Sequence, residues 1–281
     1  MRLLACARHY LCLTLFTGYA AGAVLLMGQD TSAGRQEAHA CMWNEAVCQH
    51  GSIVSIGLVA TDNDMSKLDS LHDVKELGFM VGLNREGGPK ISDAGFAHVQ
   101  SLRDLETLNA MRLPLLTDDA LRSVSRLYHL QEVRLEDNEN FSDAGIAHLE
   151  HLKRLRTLTL YGAPITDRGI MYLRESTDLQ NLQLGRSLVT DEGAREIAQF
   201  RKLKVLDLQG TKVTNRGIAR IAALPQLEWL CLKNTSVTDS GILALRSVPT
   251  LHDLYITGGT VRDESMNSLQ RSLPRLKIHF Q

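Results

Sequence analysis

Aromatic residues make up only 5% of this 281-residue chain, and proline occurs six times. So few large rings cannot anchor a core between them, and the apolar interior must come from many aliphatic positions of similar size. Charge of neither sign predominates: 31 lysines and arginines face 32 aspartates and glutamates. That balance gives no broad cationic surface for nucleic acid and no basic tail for an anionic membrane. Gly-x-Ser-x-Gly, the phosphate-binding Gly-x-x-x-x-Gly-Lys-Ser/Thr, His-Glu-x-x-His and a dinucleotide glycine loop are all missing, so the common signatures of hydrolases, nucleotide enzymes and zinc peptidases are absent. Ten histidines are scattered. His148 and His151 share an expected helix around Glu150 but have no third ligand nearby, so no metal, cofactor or catalytic residue is expected. Enzyme activity is not expected.

One long apolar run stands out. "YLCLTLFTGYAAGAVLLMG", residues 10 to 28, carries no charged side chain over 19 residues and follows Arg2 and Arg8. A membrane-crossing helix needs ~20 apolar residues, and flanking arginines favour the cytoplasmic side. Residues 1–29 are therefore expected to be a signal peptide or N-terminal membrane anchor, with the remainder exported: secreted, or tethered outside the cytoplasm. Small-residue cleavage sites at Thr31-Ser32-Ala33 and Ala38-His39-Ala40 compete. Residues 30–52 are expected to form a linker and N-terminal cap.

The five cysteines divide by place. Cys6 and Cys12 belong to the apolar segment, Cys231 lies alone, and Cys41 and Cys48 close a short loop if bridged. Free thiols in a reducing compartment, or a metal site with His50, are the alternatives for that pair.

From Leu105 the chain repeats itself. Leu105, Leu130, Leu155, Leu179, Leu203, Leu227, Leu251 and Leu276 open successive segments at spacings of 24 or 25 residues, spelled Leu-x-x-Leu-x-Leu from Leu155 to Leu227 and as variants of it elsewhere. The leucines alternate as in a strand; a polar turn such as "QGT" follows, and then Ile165-Thr166-Asp167-Arg168-Gly169-Ile170 reads as a helix start. Ser92, Thr117, Ser142, Thr166, Thr190, Thr214 and Thr238 can each cap a helix. Asp93, Asp118, Asp143, Asp167, Asp191 and Asp239, with Asn215 in the remaining unit, suit the positive end of a helix. Acids recurring in every unit read as architecture. Gly95, Gly145, Gly169, Gly193, Gly217 and Gly241 allow neighbouring units to approach closely.

"LRTLTLYGAPITDRGIMYL" and "LEWLCLKNTSVTDSGILAL" resemble the leucine-rich repeat family, in its 24-residue bacterial form with an "ITDxGL" second half, related to the cysteine-containing repeats of ubiquitin-ligase adaptors. The resemblance spans residues 53–281. It is weaker in "IVSIGLVATDNDMSKLDSL" and irregular from 73 to 102. It implies an α/β leucine-rich-repeat solenoid: curved, with a parallel β-sheet on the concave side and helices on the convex side. Each unit must bury its leucines against its neighbours. "VRDESM", with Ser265 at the glycine position, and "LKIHFQ" mark the end of the stack.

Recognition must then fall to strand residues between the leucines. Arg134, Tyr161, Gln183, Val205, Asp207, Trp229, Lys233 and Tyr255 are the candidate protein-binding residues of the concave face. Trp229 and Tyr255 should sit diagonally on neighbouring strands as an exposed aromatic centre. The expected function is a non-enzymatic scaffold for a protein ligand, exported or membrane-tethered. An intracellular adaptor resembling ubiquitin-ligase substrate-recognition proteins is the alternative, although the residues before the repeats are too few for an adaptor-binding module.

Overall fold

The structure, a computed structural model, describes residues 47–79, 89–257 and 261–280. Within them, eleven strands form one sheet in sequence order. They are β1 (Val47–His50), β2 (Ile53–Ile56), β3 (Glu76–Phe79), β4 (Thr107–Asn109), β5 (Glu132–Arg134) and β6 (Thr157–Thr159), followed by β7 (Asn181–Gln183), β8 (Val205–Asp207), β9 (Trp229–Cys231), β10 (Asp253–Ile256) and β11 (Lys277–Phe280). β1 runs antiparallel to β2, and β2 to β11 are parallel. A helix or short helical turn follows each strand from β2 to β10, for example Asp167–Tyr172 after β6 and Asp191–Ile197 after β7. Neighbouring strands need about 4.8 Å and packed helices about 8–10 Å, so a stack of such units bends toward its sheet. The sheet lines the concave side. The fold is the expected leucine-rich-repeat solenoid.

The core is a column of equivalent aliphatics. Leu108, Val133, Leu158, Leu182, Leu206, Leu230 and Leu254, each in register with the next, are all completely buried. The strands are shorter than the leucine pattern suggests: Leu203 lies in the turn before Val205–Asp207, and Leu208 just beyond it, though both are buried. Past the strands the ladder continues, with Leu160 N–H donating to Gln183 O at 2.8 Å and Leu184 N–H to Asp207 O at 2.9 Å.

The recurring Ser/Thr-Asp pair joins one unit to the next. Each cap hydroxyl accepts from the N–H two residues on, at 3.2–3.4 Å from Ser92 through Thr214. The aspartate that follows does not serve its own helix alone. Asp62, Asp93, Asp118, Asp143, Asp167 and Asp191 each accept the backbone N–H and the hydroxyl of the following unit's cap residue, the N–H bonds measuring 2.7–2.9 Å. Asn215 does the same for Thr238, its Oδ1 accepting the N–H and its Nδ2 donating to the hydroxyl, both at 2.8 Å. Asp239 closes the series by holding the Arg262 N–H at 2.8 Å and its Nε at 2.5 Å, an arginine standing where other units have a hydroxyl. The glycine two residues after Asp93, Asp143, Asp167, Asp191, Asn215 and Asp239 makes room for the link; Asp64 and Ala120 stand at that place after Asp62 and Asp118. A Cβ on Gly193 would run into the Asp167 carboxylate, and would sit 2.7 Å from Val189 Cγ1.

Candidate functional site

Residues on either side of the buried central position of each strand face the concave surface. On β5 that places Glu132 beside Arg134, which form an ion pair. Just beyond the strand, burial pushes the Glu136 carboxyl above its usual range, partly offset by the Thr159 hydroxyl and Arg134. Arg112 and Asp137 pair at 3.1 Å along the same margin. β6 and β7 carry only neutral groups there: Thr157, Thr159, Asn181 and Gln183.

Tyr161 follows β6 and lies flat across the next unit, because Gly185 presents no side chain to stop it. Its hydroxyl accepts from Gln209 Nε2 at 3.2 Å, two strands away. The guanidinium of Arg186 lies 5.3 Å from the ring centre. Desolvation raises the Tyr161 phenol. On β8 and β9, Asp207 accepts the Gln209 N–H at 2.8 Å. Burial raises its carboxyl nonetheless, against the stabilising Gln209 N–H, the Cys231 thiol and the Lys233 charge. Burial first, and the Asp207 charge second, push the Cys231 thiol up to about 12.

At the far end the face is aromatic. Trp229 and Tyr255 have ring centroids 5.1 Å apart, and Tyr255 stacks on His279 at 4.2 Å and an interplanar angle of 9°. The register Asp253↔Trp229 and Tyr255↔Cys231 makes the first pair diagonal. Lys233 Nζ lies 5.1 Å from the Tyr255 ring centre, and His279 Nε2 meets Asp253 Oδ1 at 2.9 Å. Near the N-terminal ends of β4 to β8 opens a polar cleft of about 390 Å³, whose lining includes Glu106, Glu132, Arg156, Gln180 and Lys204.

All eight residues singled out in the sequence lie on this face, in two groups by exposure. Arg134, Gln183, Val205 and Tyr255 are half-buried, whereas Tyr161 and Asp207 are 8% exposed and Lys233 7%. Trp229, expected as an exposed anchor, is also only 8% exposed. It lies down in the strand row against Tyr255, and Tyr255 carries the more accessible ring. His279 was missed because the last segment reads as an ending, although its place two residues after Lys277 on a further strand matches that of Tyr255 on β10. Arg156 and Arg186 were not singled out because one precedes and the other follows the three alternating positions of their units, Thr157 to Tyr161 and Asn181 to Gly185.

Among the described residues, no three His, Cys, Asp or Glu side chains gather as a metal site, and no helix is long and apolar enough to cross a membrane. The apolar segment 10–28, Cys41 and the side chains of Cys48 and His50 lie outside the described residues, and with them the expected signal or anchor, disulfide and alternative metal site.

The family model described as "Leucine Rich repeat" matches residues 201–222. No curated protein matches the chain. Among solved structures, internalin C2 of Listeria monocytogenes superposes with a TM-score of 0.54 at 19% identity, over 78% of this chain and 92% of the other. A second internalin of that organism, inlF, gives 0.50 at 17% identity, over 76% and 69% respectively. At these identities the likeness is one of fold.

Proposed function

We propose that this chain, a leucine-rich repeat protein, is a non-enzymatic scaffold that binds a protein ligand on its concave face, exported or tethered to a membrane by residues 1–29. The observation that carries the reading is the register of the parallel strands. It lines up side chains of consecutive units into one continuous surface, from the Glu132/Arg134 pair through Gln183 and Val205 to the Tyr255/His279 stack. Backbone groups inside the sheet are satisfied by neighbouring strands, so variation along this surface changes recognition and leaves the scaffold alone. The face combines an aromatic end, amide and hydroxyl groups in the middle and fixed ion pairs at the margins, a mixture typical of protein interfaces. The charge-free run of residues 10–28 supports export.

The test uses the full chain as bait against surface extract of the source cells, beside variants Val205→Asp and Tyr255→Ala. Both side chains are half-buried, so the fold should tolerate the changes, and unaltered melting would confirm that. A partner retained by the parent and lost by the variants supports the concave face. Equal retention moves the site elsewhere. Reporter fusions that place residues 47–281 in the cytoplasm would favour the intracellular adaptor instead.

A further inference from the structure

The reading of the concave face as a ligand surface leaves open what chemistry the ligand brings, and the charges around β6 and β7 bear on that. Of the neighbouring acids, Glu106 pairs with Lys75 at 3.0 Å, Asp137 with Arg112 at 3.1 Å, Glu228 with Lys204 at 3.2 Å and Glu132 with Arg134, while the buried Asp207 accepts the Gln209 N–H. Two cations flanking these strands lack such a partner. Among the described residues, the side chains of Arg156 and Arg186 make no hydrogen bond or ion pair. Arg156 stands at the entry to β6 between Gln131 and Gln180, which line the same cleft. The nearby Asp178, which feels its charge, is held by Lys202 at 2.5 Å.

Arg186, at the exit of β7, sits on left-handed backbone with φ of 62°. The equivalent positions of the units on both sides are Gly162 at 85° and Gly210 at 65°, where that conformation costs little. Other units hold the same left-handed position with Arg112, Asp137 and Asn234, so a side chain is tolerated there; the Arg186 backbone N–H donates to Gln209 O as Gly162 N–H does to Gly185 O. Its guanidinium is laid on the Tyr161 ring. Six residues separate the levels of Arg156 and Arg186 along the strands, roughly 20 Å at ~3.3 Å per residue. Between them β6 and β7 present the half-buried Thr157 and Gln183, with Thr159 and Asn181 almost wholly buried and the Tyr161 ring over Gly185.

We propose that the trough along β6 and β7 takes an extended acidic segment of the protein ligand, with one carboxylate on Arg156 and a second, about six residues away, on Arg186. Carboxylates match the guanidinium fork at each end. The Thr157 hydroxyl and Gln183 amide between them offer donors and acceptors to the segment's backbone.

The test measures binding of a fluorescein-labelled ten-residue oligoglutamate to the full chain by anisotropy, with oligolysine and inorganic phosphate as competitors. Oligoglutamate should bind, and each of Arg156→Gln and Arg186→Gln should weaken it about tenfold or more. Arg186→Gly, which relieves the backbone while removing the guanidinium, should lose as much as Arg186→Gln. Arg220→Gln, on a helix of the opposite side, should change nothing. Unchanged melting of each variant separates lost contacts from lost folding. Displacement by phosphate as readily as by unlabelled oligoglutamate would replace the acidic segment with a simple anion site and overturn the proposal. So would absent binding, or equal loss in Arg220→Gln. If oligoglutamate fails to bind while a captured partner is still lost in Val205→Asp, the acidic ligand is wrong and the concave surface stands; a partner indifferent to Val205→Asp overturns the surface itself.

Discussion

The ring of Tyr161 occupies the volume that a side chain on Gly185 would need: a Cβ built there would fall on Tyr161 Cδ2 and Cε2 and lie 3.3 Å from Asp207 Oδ2. The two residues therefore act as one packing unit. Gly185→Ala should lift Tyr161 from its place, break its bond with Gln209 and destabilise the fold by about 1–3 kcal/mol. In a Tyr161→Ala background the same change should cost much less. A double-mutant cycle by denaturant unfolding reads the difference, and additive effects would disprove the coupling.

Gly193 tests the inter-unit link from its other side. Alanine gains ~1 kcal/mol over glycine in a helix by propensity. Here the new methyl would meet Asp167 Oδ1 and Val189 Cγ1, so Gly193→Ala should lower the melting temperature despite that gain. Gly78→Ala, where a Cβ meets nothing within 4 Å, should leave stability within about 0.5 kcal/mol. Equal behaviour of the two variants would show that the carboxylate does not need the space.

Asp167→Ala removes the acceptor for both the N–H and the hydroxyl of Thr190. Leaving two half-buried donors unsatisfied should cost about 1–3 kcal/mol. Asp167→Asn should cost less, because Asn215 already serves the same role toward Thr238. Chemical denaturation of both variants checks the order.

Asp207 gives a pH dependence of definite sign. Its carboxyl is raised by burial in the folded chain, so the folded state holds the proton at pH values where the unfolded chain has released it. Above the raised value, the buried charge weighs against folding. As pH falls through that value toward the ordinary carboxylate range, the penalty disappears and relative stability rises. Asp207→Asn, neutral throughout, should therefore melt above the parent at pH 7, with the gap closing toward pH ~4. A constant gap would indicate that the carboxylate is adequately solvated or paired.

Much of this was legible because the leucine spacing is a period, and a period of 24 or 25 residues with one strand and one helix start fixes the stacking before any contact is known. Ser92 to Thr214 were readable as caps from residue type alone. The target of each aspartate was not, since Asp167 finds Thr190 only once the units are stacked, 23 residues on. The pair Thr61-Asp62 was passed over in its weak repeat, yet Asp62 holds Ser92 as the others hold their partners. Trp229 was placed on the right face and diagonal, but its burial depends on how rings lie along the sheet, which alternation does not encode. Arg186 carried no signal in the alignment of units, because its left-handed position is filled by Arg112, Asp137, Gly162, Gly210 and Asn234 in the other units.

The chain of aspartates has a direction: each unit's helix start hangs on the unit before it, from Asp62 to Asp239. Under tension applied at β11, the load would reach these bonds one after another, so the molecule should give way like a zipper from its C-terminal end, shedding one unit of contour length at each step. Asn215, whose link to Thr238 has no carboxylate, is the tooth in that zipper without a charge.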